Sequence, residues 1–328
     1  MTSLHKLSEL GQSVWIDFLS RPFVQQGGLT QLVRDGVLGA TSNPTIFQGA
    51  IAEGDAYDEQ IKELTATESD PKEIFLGLAR DDIRAACDQL RPVYDGGQGK
   101  DGWVSLEVDP NLAHDTQATI DEAARLHAMV DRPNVLIKIP ATPEGLPAIE
   151  ETIAAGIPVN VTLIFSLQRH REVAEAYIRG LRRLIDGGGD ASKIASVASF
   201  FVSRVDTEAD RRLDEIGGYD QLKGKLAIAN AKLAYVTYNE LFAGPEWDEL
   251  AAAGATPQRC LWASTSTKNP EYRDVEGARR VLELFAEAGV DYDDVVQTLE
   301  REGVEKFAKS FRDLFADLES KRDALVAA

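Results

Sequence analysis

Seven short apolar runs, each followed by a stretch of helical character, set the tightest limit on what this 328-residue chain can fold into. The runs are 13–18, 37–40, 103–108, 135–139, 159–164, 194–201 and 259–263. Several are almost continuous in apolar residues, the pattern of strands covered on both faces. The stretches between them carry helix start and stop signals. Pro71 opens 71–90 after Asp70, Asp115 precedes 116–130, Gly156 follows 146–155, and Gly187-Gly188-Gly189 closes 167–186. Segments 31–35, 219–241 and 275–327 complete the helical set. Repeated strand–helix units imply a parallel sheet with right-handed crossovers. No Gly-x-Gly-x-x-Gly follows the first run, and Gly187 reads as a helix end, so a dinucleotide-binding open sheet fits poorly. The expected fold is α/β, a (β/α)8 TIM barrel with extra terminal helices. With no linker or low-complexity block, one domain is expected over 1–328, its helical C-terminal segment spanning 275–328.

Composition narrows the partners. There are 54 acidic and 35 basic residues, a net charge of −19, so the surface repels nucleic acid and anionic membranes. Any phosphate site must then be built locally from a few basic groups. The two cysteines, Cys87 and Cys260, suit a reducing compartment and no disulfide framework. His5, His114, His127 and His170 are dispersed, and neither HExxH nor CxxC occurs, so no metal site is expected. Residues 1–11 lack the apolar core of a signal peptide, and no apolar stretch approaches the ~18 residues of a membrane span. A cytoplasmic enzyme acting on small molecules is the expected class. The sequence leaves its oligomeric state open.

Polar residues punctuate the apolar runs near their C-terminal ends, where a (β/α) barrel gathers its chemistry. They are Asp17, Asn43 within Thr41-Ser42-Asn43-Pro44, Glu107, Lys138, Asn160, Thr162, Ser199, Arg204, Ser264 and Lys268. Lys138 is the most informative. It interrupts Val135, Leu136, Ile137 and Ile139 just before Pro140. An ammonium rarely enters such a setting without a partner or a task, and desolvation there favours the free, nucleophilic amine. The alternative is a strand-end lysine whose stem packs while its head reaches water. Each other residue has its own plain alternative: Asp17 as a local cap, Asn43 as a turn former before Pro44, Glu107 and Arg204 as solvated charges, Thr162 as a β-former. Taken together, the types support Schiff-base chemistry. Lys138 would condense with a ketone, Glu107 and Thr162 would assist dehydration through a held water, and Asp17 would act as base on a β-hydroxyl. Arg204 and Lys268 could take a phosphate. The terminal apolar stripe of Phe307, Phe311, Leu314, Phe315 and Leu318 reads as a packing face.

The segment Ile137-Lys138-Ile139-Pro140-Ala141-Thr142 resembles the active-site signature of the transaldolases. So do residues 39–47 (GATSNPTIF), 104–110 (VSLEVDP), 160–166 (NVTLIFS), 200–204 (FFVSR) and 262–265 (WAST), in a style similar to the actinobacterial branch. The resemblance implies a pentose phosphate pathway enzyme that needs no cofactor. It would move a dihydroxyacetone unit from sedoheptulose 7-phosphate to glyceraldehyde 3-phosphate, giving erythrose 4-phosphate and fructose 6-phosphate. It implies the Schiff base at Lys138, acid–base work at Asp17, and a catalytic water held by Glu107 and Thr162. Asn43 and Asn160 would contact the dihydroxyacetone portion and Ser199 would line the pocket. Arg204, Ser264 and Lys268 would bind phosphate. The sequence departs from the family after Lys268-Asn269-Pro270-Glu271-Tyr272-Arg273-Asp274, where the terminal helix begins almost at once. The eighth-strand region is therefore expected to be shortened or missing. Two other readings compete: a class I aldolase that cleaves a sugar phosphate, and an inactive barrel relative.

Overall fold

Strands form where the apolar runs lie: β1 Val14–Ile16, β2 Val37–Thr41, β3 Trp103–Glu107, β4 Val135–Pro140, β5 Val159–Ile164, β6 Ser196–Phe201 and β7 Arg259–Ala263. They belong to a computed structural model that describes residues 2–52, 54–265 and 275–327. The fold is α/β, and the seven strands make a parallel sheet ordered as in the chain, β1 through β7. This is the order a repeated strand–helix unit generates. The continuous apolar runs are explained by burial. Every residue of β3, β4, β5 and β6 is buried, whereas β1 and β7 are half-exposed throughout. The shortened or missing eighth-strand region is expected after Asp274; residues 266–274 lie outside the described residues, and the next helix begins at Val275.

The chain divides into two compact units. The first comprises Met1–Asn111, Asp121–Lys138 and Lys306–Ala328. Here β1 pairs with β2, β2 with β3, and β3 with β4, in a register that sets Glu107 opposite Lys138. The helix Pro71–Gly96 starts as its sequence dictates: the Asp70 carboxylate accepts from the Lys72 N–H at 2.9 Å and Pro71 occupies the first turn. It runs past the expected end at Leu90, through Pro92. Its buried face, Ile74, Leu78, Ala86 and Leu90 among others, includes one carboxylate, Asp82. Asp82 accepts from Arg21 Nε and from the Tyr57 hydroxyl, both at 2.8 Å, and the Arg21 guanidinium lies 4.3 Å from the centre of the Tyr57 ring. Burial still pushes the Asp82 carboxyl above its ordinary value, the Arg21 charge opposing it.

The terminal helix Tyr292–Ala327 lends its second half to this unit. Phe311 and Phe315 pack edge-on against Phe75, which meets Phe47. Polar contacts fix the same surface to the helix Pro44–Ala52. The Thr45 hydroxyl donates to Ser310 at 2.8 Å, Gln48 donates to Asp317 at 3.0 Å, and Lys321 donates to the Ile51 carbonyl at 2.9 Å.

The second unit, Leu112–Ile120 with Ile139–Glu305, holds β5, β6 and β7, paired in parallel. The β5–β6 register shifts between Val161 and Ile164, where Leu163 adopts a left-handed φ of 60°. For a leucine that conformation costs about 1–2 kcal/mol. Helices Gly145–Ala154 and Leu167–Asp186 pack closely at Gly180, where a Cβ would lie 2.8 Å from the Glu150 carbonyl oxygen. The Tyr292 hydroxyl donates to Asn230 Oδ1 at 2.6 Å and accepts from the Leu167 N–H at 3.2 Å, while Asn230 donates to the Phe165 carbonyl.

Further sequence expectations need correction. The terminal segment is two helices, not one, Val275–Glu287 and Tyr292–Ala327. Gly289 turns left-handed at φ 89°, and the Asp291 carboxylate accepts from the Asp293 N–H at 2.9 Å as the second helix starts. Ser203–Ile216, read as no element, is a helix; only Val205, Ala209 and Leu213 are buried on it, too thin a stripe to stand out in a charged stretch.

Removing one partner of the Arg21–Asp82 pair strands the other inside the first unit. Asp82→Ala is expected to cost about 3–5 kcal/mol in urea unfolding. The double variant Arg21→Met/Asp82→Leu is expected to cost much less, because no charge is left behind.

Candidate active site

Side chains that could do chemistry project from the strand ends of each unit. In the first unit, β3 and β4 present Glu107 and Lys138 from opposed register positions, so a carboxyl and an amine meet without any loop having to bring them together. Lys138 is 5% exposed and Glu107 9%. Lys138 Nζ lies 3.2 Å from Glu107 Oε2, donates to the Ser42 carbonyl at 3.4 Å, and sits 5.6 Å from the centre of the Phe307 ring. The carboxylate contact is ionic but off-angle, so Oε2 has no hydrogen-bond partner. Burial raises the proton affinity of Glu107 above that of an ordinary glutamate; the Lys138 charge opposes this and the Asp17 charge adds to it. A carboxyl so disposed can receive the proton that a neighbouring ammonium must shed to become a nucleophile.

Asp17 follows β1 and is exposed. Its Oδ1 accepts from the buried Thr41 hydroxyl at 2.6 Å, which fixes the carboxylate's orientation. Asn43 is half-buried before Pro44, and its side-chain oxygen accepts from the Ile46 N–H at 3.0 Å. The turn-forming role and a binding role are compatible here, because the cap uses the carbonyl and not the amide nitrogen.

In the second unit, the loop after β4 turns tightly: a Cβ at Gly145 would lie 2.1 Å from the Pro140 carbonyl oxygen, so only glycine fits. The Ala141 N–H donates to the Thr162 carbonyl at 2.8 Å. Asn160, Thr162 and Ser199 are buried, and the Ser199 hydroxyl donates to Asn160 Oδ1 at 2.7 Å. Thr162 Oγ1 is buried without a hydrogen-bond partner, a cost that marks it as more than a β-former. Arg204 opens the helix after β6, its guanidinium 5.0 Å from the Phe201 ring centre. Beside it the Ser203 and Ser264 hydroxyls meet at 2.7 Å, and the Ser203 N–H donates to the Ser264 carbonyl. Ser264 is exposed and left-handed at φ 53°. Lys268 lies outside the described residues.

The structure thus brings together Lys138 with Glu107, Asn160 with Ser199, and Ser264 with the neighbour of Arg204. Sequence reasoning missed the roles of Thr41 and Ser42 as supports, although both stand in the Thr41-Ser42-Asn43 run. It also read Phe307 only as packing, since nothing in the helical spacing separates it from Phe311. Among the described residues no group of three His, Cys, Asp or Glu side chains is arranged to hold a metal ion, and no helix is long and apolar enough to cross a membrane.

A parallel α/β sheet that sets a buried lysine against a carboxyl at adjacent strand ends has the groups that Schiff-base chemistry on a carbonyl requires. A family model described as Transaldolase/Fructose-6-phosphate aldolase matches residues 14–282. Proteins named transaldolase are similar over nearly their full length. That of Acidothermus cellulolyticus is 50% identical, with 95% of both chains covered. Those of Saccharopolyspora erythraea and Mycolicibacterium smegmatis are 45% and 46% identical, with 98% of both chains covered in each case. The chain belongs to the transaldolase/fructose-6-phosphate aldolase family. The last two alignments run to 361 and 363 positions, longer than this 328-residue chain, so those relatives carry residues with no counterpart here.

The raised proton affinity of Glu107 is directly observable. In infrared difference spectra between the parent and Glu107→Gln, a protonated-carboxyl band is expected to persist above pH 4.5, the ordinary glutamate value. Loss of that band by pH 4.5 would show an unperturbed carboxyl.

Proposed function

We propose that this chain is a transaldolase, transferring a dihydroxyacetone unit between phosphorylated sugars through a Schiff base on Lys138. The observation that carries the reading is the buried amine set 3.2 Å from the Glu107 carboxyl. Lys138 gives a proton to Glu107, and its free electron pair attacks the ketose C2 carbonyl. Loss of water yields an iminium, with Glu107 and Thr162 holding the water involved; the partnerless Thr162 hydroxyl supports that role. The iminium draws electrons from the C3–C4 bond as Asp17 takes the C4 hydroxyl proton, so the aldose phosphate leaves. The Thr41 hydrogen bond supports Asp17 as the oriented base. The enamine left on Lys138 then attacks the acceptor aldehyde, Asp17 returns the proton, and hydrolysis frees the new ketose.

Asn43 and Asn160 take the dihydroxyacetone hydroxyls, and Ser199 holds Asn160 in place. Arg204, Ser264 and Lys268 take the phosphate. The link between Ser203 and Ser264 supports pairing the first two. No cofactor enters this scheme. The family resemblance supports a single (β/α)8-barrel domain for the whole chain, and the departure from the family after Asp274 supports a shortened or missing eighth-strand region. The net charge of −19 supports a protein that binds neither nucleic acid nor membrane, and the two cysteines support a cytoplasmic one.

The family description also names an aldolase, which would form the same iminium. Acceptor dependence separates the two. With fructose 6-phosphate and erythrose 4-phosphate, sedoheptulose 7-phosphate is expected; with fructose 6-phosphate alone, no sustained release of glyceraldehyde 3-phosphate is expected. Equal release without acceptor would make the chain an aldolase. Lys138→Ala is expected to lower turnover by at least about 10³-fold with an unchanged far-UV spectrum, because the covalent route is lost. Unimpaired turnover in that variant would refute the route.

A further inference from the structure

Phe307 stands apart from its aromatic neighbours on the terminal helix. Phe311 and Phe315 each meet Phe75 in ring–ring contacts, whereas among the described residues Phe307 has no ring partner. Its ring face is instead offered to Lys138 Nζ at 5.6 Å, within the reach of a cation–π interaction, and the residue is buried. The ring is held there by the anchors Ser310–Thr45, Asp317–Gln48 and Lys321–Ile51, which tie its helix to the segment directly after Asn43.

We propose that Phe307 is a positioning residue for the covalent step, its ring face holding the cationic nitrogen of the Lys138 iminium. The inference rests on the Schiff-base reading above. Condensation of the ammonium with a ketone gives an iminium and water: the ketone oxygen leaves with two of the nitrogen's protons, and the positive charge stays on the adduct. The ammonium makes an ionic contact with Glu107 and has three N–H donors, one of them given to the Ser42 carbonyl; the iminium keeps one N–H. Its polar partners therefore hold the starting cation better than the product. An aromatic face needs no donor, so its attraction survives the loss of two N–H groups, and it is absent for the uncharged amine that attacks the ketone. It also offers no proton acceptor, so it steadies the charge without quenching the electron sink. Phe307 thus offsets what the iminium loses.

The test replaces Phe307 with 4-fluoro-, 3,5-difluoro- and 3,4,5-trifluorophenylalanine, which keep its shape and progressively weaken the negative ring face. The full chain is incubated with fructose 6-phosphate and quenched with borohydride, and the adduct-bearing fraction is read by intact mass. The expected result is a stepwise fall in adduct, reaching about five- to tenfold for the trifluoro ring, at an unchanged melting temperature. Phe307→Leu is expected to fall similarly and Phe307→Trp to retain adduct. A flat series, with the parent forming adduct normally, would overturn this inference alone and leave Phe307 a packing residue. No adduct in the parent would overturn the Schiff-base reading and this inference with it.

Discussion

A buried amine facing a buried carboxyl, 3.2 Å apart on neighbouring strands, is the interaction on which the rest of this account depends. Such a pair is a poor source of stability, because the desolvation of two charges roughly cancels their attraction. Its value is chemical. Removed from water, the carboxyl binds its proton more tightly than a glutamate in solution. The two groups can then exchange a proton internally. A surface glutamate, solvated on its open side, would not bind its proton so tightly.

The fold delivers this pair by register alone. Parallel strands side by side place Glu107 opposite Lys138, and buried residues on both faces fix that register, since a slip of one position would turn both polar groups into apolar packing. Supporting contacts come from sequence neighbours of the strand ends. The Ser42 carbonyl faces the amine, and Thr41 orients Asp17. The terminal helix contributes from far along the chain, and its aromatic and polar anchors fix where Phe307 can lie.

Much of this was legible from the sequence, for identifiable reasons. Continuous apolar runs read as doubly covered strands because nothing else so short is uniformly apolar, and Lys138, Glu107, Asn160 and Thr162 stood out because each interrupts such a run. Helices with thin apolar faces, such as Ser203–Ile216, were invisible to the same logic. The helix opened by Pro71 was read to residue 90 but runs on to Gly96, packing outweighing the N–H that Pro92 lacks. The break at Gly289 was hidden inside a continuous amphipathic pattern. Phe307 was legible only as a member of a stripe. Its contact with Lys138 joins residues 169 positions apart, a separation that no local periodicity encodes.

The central claim is that this one nitrogen becomes covalently bound to a ketose. Borohydride reduction of the chain in the presence of fructose 6-phosphate, followed by peptide mass mapping, reads that bond directly. A stable sugar adduct is expected on the peptide containing Lys138 and on no other lysine peptide. An adduct at a different lysine, or none on correctly folded protein, would contradict the claim.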